Sequence, residues 1–183
     1  MYQGGNPIAL QSQQWLVDSL ILLMKEKPYE KITVSDICKK ADLSRQTFYN
    51  FFPTKEEILK SCLRQEYERQ FSLLCGQEAL SIREVVEAFI QVLTGNQELL
   101  NVMLANRLDA IILEEIIKCV ALFADRFATK EPVNELRPYG EALLSGALAQ
   151  LLIYWLRQDE TLSIDKLTKV LTDFLSGNLY HIE

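Results

Sequence analysis

Two short apolar stripes, set back to back between two prolines, constrain this chain more than any other feature. Val34, Ile37, Cys38 and Ala41 recur at i, i+3, i+4 and i+7, and Phe48, Phe51 and Phe52 recur at i, i+3 and i+4. Such spacing gathers side chains on one side of a helix. Neither stripe is long enough to make a stable helix alone, so the two have to share a buried side. Pro28 stops whatever precedes the first stripe and Pro53 stops the second, because proline lacks the N–H and clashes with the turn before it. Asp42-Leu43 makes the break between them. Thr33, with Asp36 three residues on, and Ser44 stand where helix N-caps belong, and Asp36 favours the positive end of its helix. The local pattern is therefore two short helices joined by a tight turn, a helix-turn-helix.

The outward residues say what the second helix can touch. Ser35, Lys39 and Lys40 remain outside on the first helix; Arg45, Gln46, Tyr49 and Asn50 remain outside on the second. An α-helix fits the major groove of DNA, and only its first turns reach base edges. Arg45 can pair bidentately with guanine and Gln46 with adenine. Ser35, Thr47, Tyr49 and Lys55 can bond phosphates and fix the register. Lys39 and Lys40 read more simply as a wet helix face.

The remainder is helical, with no strand alternation, so the fold class is all-α. Seven glycines and five prolines are few for a fold of many short strands. A first helix runs from about Ile8 to Glu26, with Ile8, Trp15, Leu16, Ser19, Leu20, Leu22 and Leu23 mostly on one side. Thr54-Lys55-Glu56-Glu57 matches a capping box and opens a long helix to about Cys75. Further helices are predicted at 81–94, 97–106, 108–127, 137–157 and 163–179, with breaks at Gly76, Gly95-Asn96, Lys130–Pro132 and Asp159–Ser163. The chain divides into 1–62, the helix-turn-helix, and 63–183, a helical dimerisation and ligand-sensing part.

Net charge is −6, which argues against a nonspecific nucleic-acid coat. The excess is uneven: residues 1–62 carry 8 Lys and Arg against 7 Asp and Glu, while residues 63–183 carry 11 against 18. A specific reader needs a local basic face rather than a basic protein. Cys38, Cys62, Cys75 and Cys119 include no C-x-x-C pair, and the one histidine is His181, so no metal site and no cofactor are expected. Cys38 reads as core packing. The longest apolar-rich run, Ala142–Leu156, is shorter than the roughly 20 residues of a membrane span. No basic leader precedes Lys25, and a cytoplasmic protein without membrane contact is expected.

The run from Thr33 to Leu59 resembles the DNA-binding signature of the TetR family. The matching positions include Thr33, Ile37, Ala41, Ser44, Thr47, Tyr49, Phe52, Pro53, Lys55 and Leu59. With the preceding helix the resemblance spans residues 8–62, about a third of the chain. It implies a homodimer on a palindromic operator in double-stranded DNA, repressing in most members and activating in some. It further implies a small-molecule effector pocket in the C-terminal part and a connecting helix, here about 54–75, that shifts on ligand binding. By position Thr47, Tyr49 and Lys55 take the phosphate-contacting roles; Arg45, Gln46 and Asn50 fall where members vary and read bases. Three positions depart from the family's habits. Gln46 stands where a small residue is common, Phe51 where His or Tyr is common, and the first helix has no basic residue before Lys25. A shallow salt dependence follows from the last.

In the C-terminal part, Leu144, Leu148, Leu151 and Trp155 repeat at i, i+4, i+7 and i+11, and Ile164, Leu167, Leu171, Phe174 and Leu175 make a second stripe. Two such helices from each subunit could close a four-helix bundle, and the resemblance places the dimer interface on the last two long helices. The same stripes could instead pack into their own core. Phe71, Leu74, Met103, Phe123, Phe127, Tyr139 and Leu143 are candidates for a cavity wall, with Asn106, Arg107 and Gln150 as polar residues on apolar helices; ordinary core or surface is the alternative for each. Catalysis would need a nucleophile–base pair, a metal or a cofactor fingerprint, and an enzyme is not expected. The competing function is a helical interaction protein whose helix-turn-helix does not bind DNA alone.

Overall fold

The computed structural model describes residues 6–75, 81–127, 135–158 and 162–178. Among these residues the chain forms α-helices and a single 3-10 turn, and no strand. The helices are α1 (Pro7–Glu26), α2 (Val34–Ala41), α3 (Arg45–Phe51), α4 (Lys55–Leu74), α5 (Ile82–Gly95), α6 (Gln97–Ala105), α7 (Asp109–Phe127), α8 (Arg137–Leu156) and α9 (Ile164–Leu175), with the 3-10 turn Tyr29–Lys31 between α1 and α2. The predicted helices match these within a few residues; the breaks at Gly76 and Lys130–Pro132, the side chain of Phe127, and His181 lie outside the described residues. Among the described residues no helix is long and apolar enough to cross a membrane.

The first three helices and the start of α4 form a head whose local order is set by caps. Thr33 and Asp36 bond reciprocally: the Asp36 N–H donates to Thr33 Oγ1 at 3.1 Å and the Thr33 N–H donates to Asp36 Oδ2 at 2.9 Å. Two N–H groups left over by the helix start are thereby satisfied. These bonds and the Lys27 ammonium hold the Asp36 carboxyl well below its usual range. Asp42 ends α2 in the left-handed region at φ 54°, which aspartate tolerates better than a branched residue does. The Cys38 thiol sits inside this turn and faces the Ser44 carbonyl at 3.7 Å; burial pushes its pKa up, so it packs as a thiol. At α4 the expected box is only half made. Thr54 Oγ1 accepts from the Glu57 N–H at 3.2 Å, but Glu57 does not reach back, because Arg64 Nη1 holds its carboxylate at 3.0 Å.

The stripe read on α1 splits in two. Leu16, Ser19, Leu20 and Leu23 are buried against α2, α3, α4 and α6, whereas Ile8, Trp15 and Leu22 are exposed. Seven residues of helix turn through almost two full circles, so positions 8, 15 and 22 share a separate outer face. Phe48, Phe52, Ile37, Ile58 and Leu59 fill the centre of the head.

Behind the head, α4 packs on α5 and α7; α8 lies against α7, and α9 against α5. One apolar core runs without interruption from Leu16 to Leu171. The division drawn between residues 62 and 63 falls inside α4, which serves head and body alike.

A charged brace joins α4 to α7. Lys60 Nζ lies 2.7 Å from Glu56 and 2.6 Å from Glu114; Lys118 Nζ lies 2.8 Å from Glu114 and 2.7 Å from Glu115. The two lysines hold the Glu114 carboxyl down to about 2. Glu115 is only 2% exposed and also accepts from the Tyr67 hydroxyl at 3.4 Å. Burial first, then the Glu115 charge, pushes the Tyr67 phenol up, so it stays a donor.

Candidate nucleic-acid interface

The face of α3 is built from behind. Phe48 is fully buried, with Phe52 at 6.1 Å and Tyr49 edge-on at 5.3 Å between ring centroids. Ser44 Oγ accepts from the Thr47 N–H at 3.0 Å and shares a hydrogen bond with Thr47 Oγ1 at 2.9 Å. The helix start is thus capped by its own hydroxyls, and its first turn is held square to the turn before it.

In front, Arg45, Gln46 and Asn50 are exposed, and Tyr49 is half exposed at 50%. Among the described residues none forms a side-chain hydrogen bond with Arg45, Gln46 or Asn50, so their donors and acceptors are turned to solvent. Ser35 is exposed one helix away, on the first turn of α2. Ser35, Ser44, Arg45, Gln46, Tyr49 and Asn50 are thus all accessible in the head, with Thr47 partly covered.

Lys55 is placed differently from the others. Its ammonium donates to the carbonyls of Tyr29 and Ile32, both at 2.7 Å, and stands 4.1 Å from the centre of the Tyr29 ring. Two of its three N–H groups are thus used inside the protein, leaving one to point elsewhere. Burial lowers its pKa from the usual lysine value. Two nearby cations are neutralised locally, Lys27 by Asp36 at 2.9 Å and Lys40 by Glu26 at 2.6 Å. Lys31, Lys39 and Arg45 are exposed and form no ion pair with a described residue.

Tyr139 and Leu143, read as pocket residues, are each 75% exposed on the outer side of α8. Arg107 is exposed in the α6–α7 turn at φ 59°, and Met103 is buried in the main core. Phe71 packs edge-on against Phe123 at 5.5 Å. Of the described residues of the pocket set, Phe123 lines an apolar cavity of about 280 Å³ between α5, α7, α8 and α9. Its other walls include Phe89, Val120, Leu144, Leu148 and Leu171. Conversely, Leu148, Trp155, Leu167 and Leu171, read as interface, are buried in their own protomer; Leu144 and Leu151 are half buried, and Phe174 is exposed. Helix α8 is apolar on two sides, and periodicity cannot say which side turns inward. Val86, Phe89, Ile90 and Leu93 carry the helical stripe that makes α5 a wall, the signal from which the cavity could have been read.

Comparison with known proteins places this geometry. Residues 16–62 match the model of the bacterial regulatory proteins of the tetR family. Over 149 residues the chain is 26% identical to the transposon Tn10 TetC protein of Escherichia coli, covering 74% of this chain and 73% of TetC. Over 45 residues it is 42% identical to the HTH-type dhaKLM operon transcriptional activator DhaS of Lactococcus lactis, covering 25% of this chain and 24% of DhaS. That second match therefore spans about a quarter of DhaS. Among solved structures, Lin0861 from Listeria innocua superposes with a TM-score of 0.74 over 97% of this chain and 96% of its own, at 14% identity; the overall arrangement of helices is shared.

Proposed function

We propose, since this chain is a DNA-binding transcriptional regulator of the TetR family and not an enzyme, that it acts as a homodimeric repressor on a palindromic operator and loosens its grip when an apolar effector enters its body. The observation that carries the reading is the first turn of α3, where Arg45 and Gln46 project without internal partners from a helix anchored by Phe48. Arg45 and Gln46 read base edges, with Asn50 beside them, while Ser35, Ser44, Thr47, Tyr49 and the remaining N–H of Lys55 meet phosphates. Such a protein works in the cytoplasm, where its operator lies.

The second copy is taken to cover the outer side of α8. Tyr139, Leu143 and Tyr154 are exposed there, and a Cβ added at Gly146 would meet nothing within the protomer. An apolar face with a small residue at its middle suits close approach of an identical helix. Leu144 and Leu151 are half buried at the margin of this face, and Phe174 on α9 is exposed as well. The effector site is the cavity beside Phe89, Phe123 and Leu148. The described residues of its wall offer hydrocarbon and the Cys119 thiol but no charge, so an uncharged apolar molecule fits. Its volume holds on the order of nine water-sized groups. The stretch shared with DhaS, an activator by its name, supports activation as the second reading of the same DNA contact.

Selection of bound duplexes from a random pool, with purified protein and no added effector, tests the proposal. An enriched inverted repeat is expected. Failure to enrich any motif at low salt, by protein shown to be folded and dimeric, contradicts it.

A further inference from the structure

Asn106 is not among the residues of the DNA-reading face, yet it makes a polar connection between body and head. It follows α6, and its amide group reaches α1 and the connector beyond it. Oδ1 accepts from the Tyr29 N–H at 2.8 Å. Nδ2 donates to the Met24 carbonyl at 3.0 Å and to the Val102 carbonyl at 2.9 Å. The first two partners are groups that secondary structure leaves over: Met24 belongs to the last turn of α1, whose carbonyls have no helical donor ahead of them, and Tyr29 begins the 3-10 turn. The end of α1 is thus capped by a residue about eighty positions away in sequence.

The side chain that does this is itself held firmly. Arg107 adopts φ 59°, and the Leu108 N–H turns back to the Met103 carbonyl at 3.0 Å, closing α6 in the manner of a Schellman turn. On the opposite side of the connector, Lys55 grips the carbonyls of Tyr29 and Ile32. Tyr29 is therefore clamped through its N–H by the body and through its carbonyl by the start of α4. An amide matched to one donor and two acceptors is selective for this geometry; a nearby contact of the same helices, Lys25 with Glu98 at 2.6 Å, is exposed and expected to contribute little.

We infer that Asn106 is a positioning residue: it fixes the angle of the helix-turn-helix on the body, and so sets the separation at which a dimer's two heads meet their half-sites. The second clause rests on the DNA-binding dimer proposed above; the first does not. An alanine at this position frees the head to tilt while leaving α2 and α3 intact, because no head-core side chain is touched.

The test is a distance measured between spin labels on Lys39→Cys in α2 and Gln91→Cys in α5, in a Cys75→Ser background, by pulsed electron resonance on the full chain. The parent is expected to give one narrow distribution. Asn106→Ala should broaden or shift it, with exchange protection of α2 and α3 amides unchanged; Glu98→Gln should leave it narrow. Asn106→Asp keeps the acceptor for Tyr29 and loses both donors, so it serves if the alanine variant does not fold. A distribution unchanged in the folded Asn106 variant overturns the inference. Broadening with equal force in Glu98→Gln overturns it as well, since any loosening of α1 against α6 would then suffice. On operators with varied half-site spacing, Asn106→Ala should lose about tenfold of the parent's spacing preference while keeping its base preference within a half-site. If the parent itself selects no repeat, the DNA reading fails, and the distances still decide the role of Asn106.

Discussion

Replacing Phe48 by alanine is expected to cost about 3–5 kcal/mol and to disable the head before anything else. The ring is wholly buried among Leu20, Ile37, Phe52 and Leu59, and α3 has only seven residues. A helix of two turns is held by its packing rather than by its own hydrogen bonds. Deleting its largest buried side chain removes the apolar contact and leaves a cavity that the surrounding aromatic rings can only partly fill. Against a total stability of 5–15 kcal/mol for an ordinary domain, that is a large share. The loss should appear in the midpoint of denaturant unfolding. Operator binding should fall with it, since Arg45 and Gln46 project from the same two turns. A midpoint shift worth less than about 1 kcal/mol would mean that α3 is held by something other than Phe48.

The second large effect is expected at Glu115. Its carboxylate is almost fully buried and meets Lys118 at 2.7 Å, the Tyr67 hydroxyl at 3.4 Å and Arg64 at 3.7 Å. Glu115→Ala strands the buried phenol and leaves two cations with one carboxylate fewer. Lys118 keeps Glu114 and Arg64 keeps Glu57, so the cost should sit near the lower end for a broken buried pair, about 3 kcal/mol. Glu115→Leu, with its apolar volume, should cost less than Glu115→Ala. The exposed pair Lys169–Asp173 on α9 is the internal comparison: Lys169→Ala should change the unfolding free energy by under about 1 kcal/mol. Equal effects at the two sites would show that the α4–α7 brace is no more than surface charge. The brace has a further interest, because Glu115 stands one helical turn from Cys119 on the cavity wall, while its partners Arg64 and Tyr67 belong to α4.

The head was legible in the sequence because its signals are local. Thr33 with Asp36, Ser44 as a cap, the break at Asp42 and the Phe48–Phe52 spacing all act within a few residues, and each appears in the structure where the pattern put it. The body was less legible because its decisive features are relations between helices. Leu148 and Leu143 lie on opposite sides of α8, and both sides are apolar; which one meets α7 depends on the partner's shape. The cavity likewise arises from how far α8 and α9 stand apart, a distance that no periodicity encodes. Asn106 was visible as a polar residue on an apolar helix, but its partners Met24 and Tyr29 are backbone groups about eighty residues upstream, and backbone groups leave no mark on composition. Lys55 stood out as a phosphate contact by position, whereas its grip on two carbonyls required the connector's path to be known.

In the proposed complex Arg45, at the start of α3, reads a base in each half-site. The most direct measurement is a fluorescence titration of the wild-type protein and Arg45→Ala against the selected duplex and its single-base variants, at one fixed salt concentration. The variant is expected to stay folded and dimeric, to bind the parent duplex more weakly by roughly 1–3 kcal/mol per half-site, and to lose its preference at one base pair in each. A variant that binds more weakly but keeps the wild-type preference at every position would contradict this reading, since Arg45 would then be meeting a phosphate and another residue would be reading the sequence.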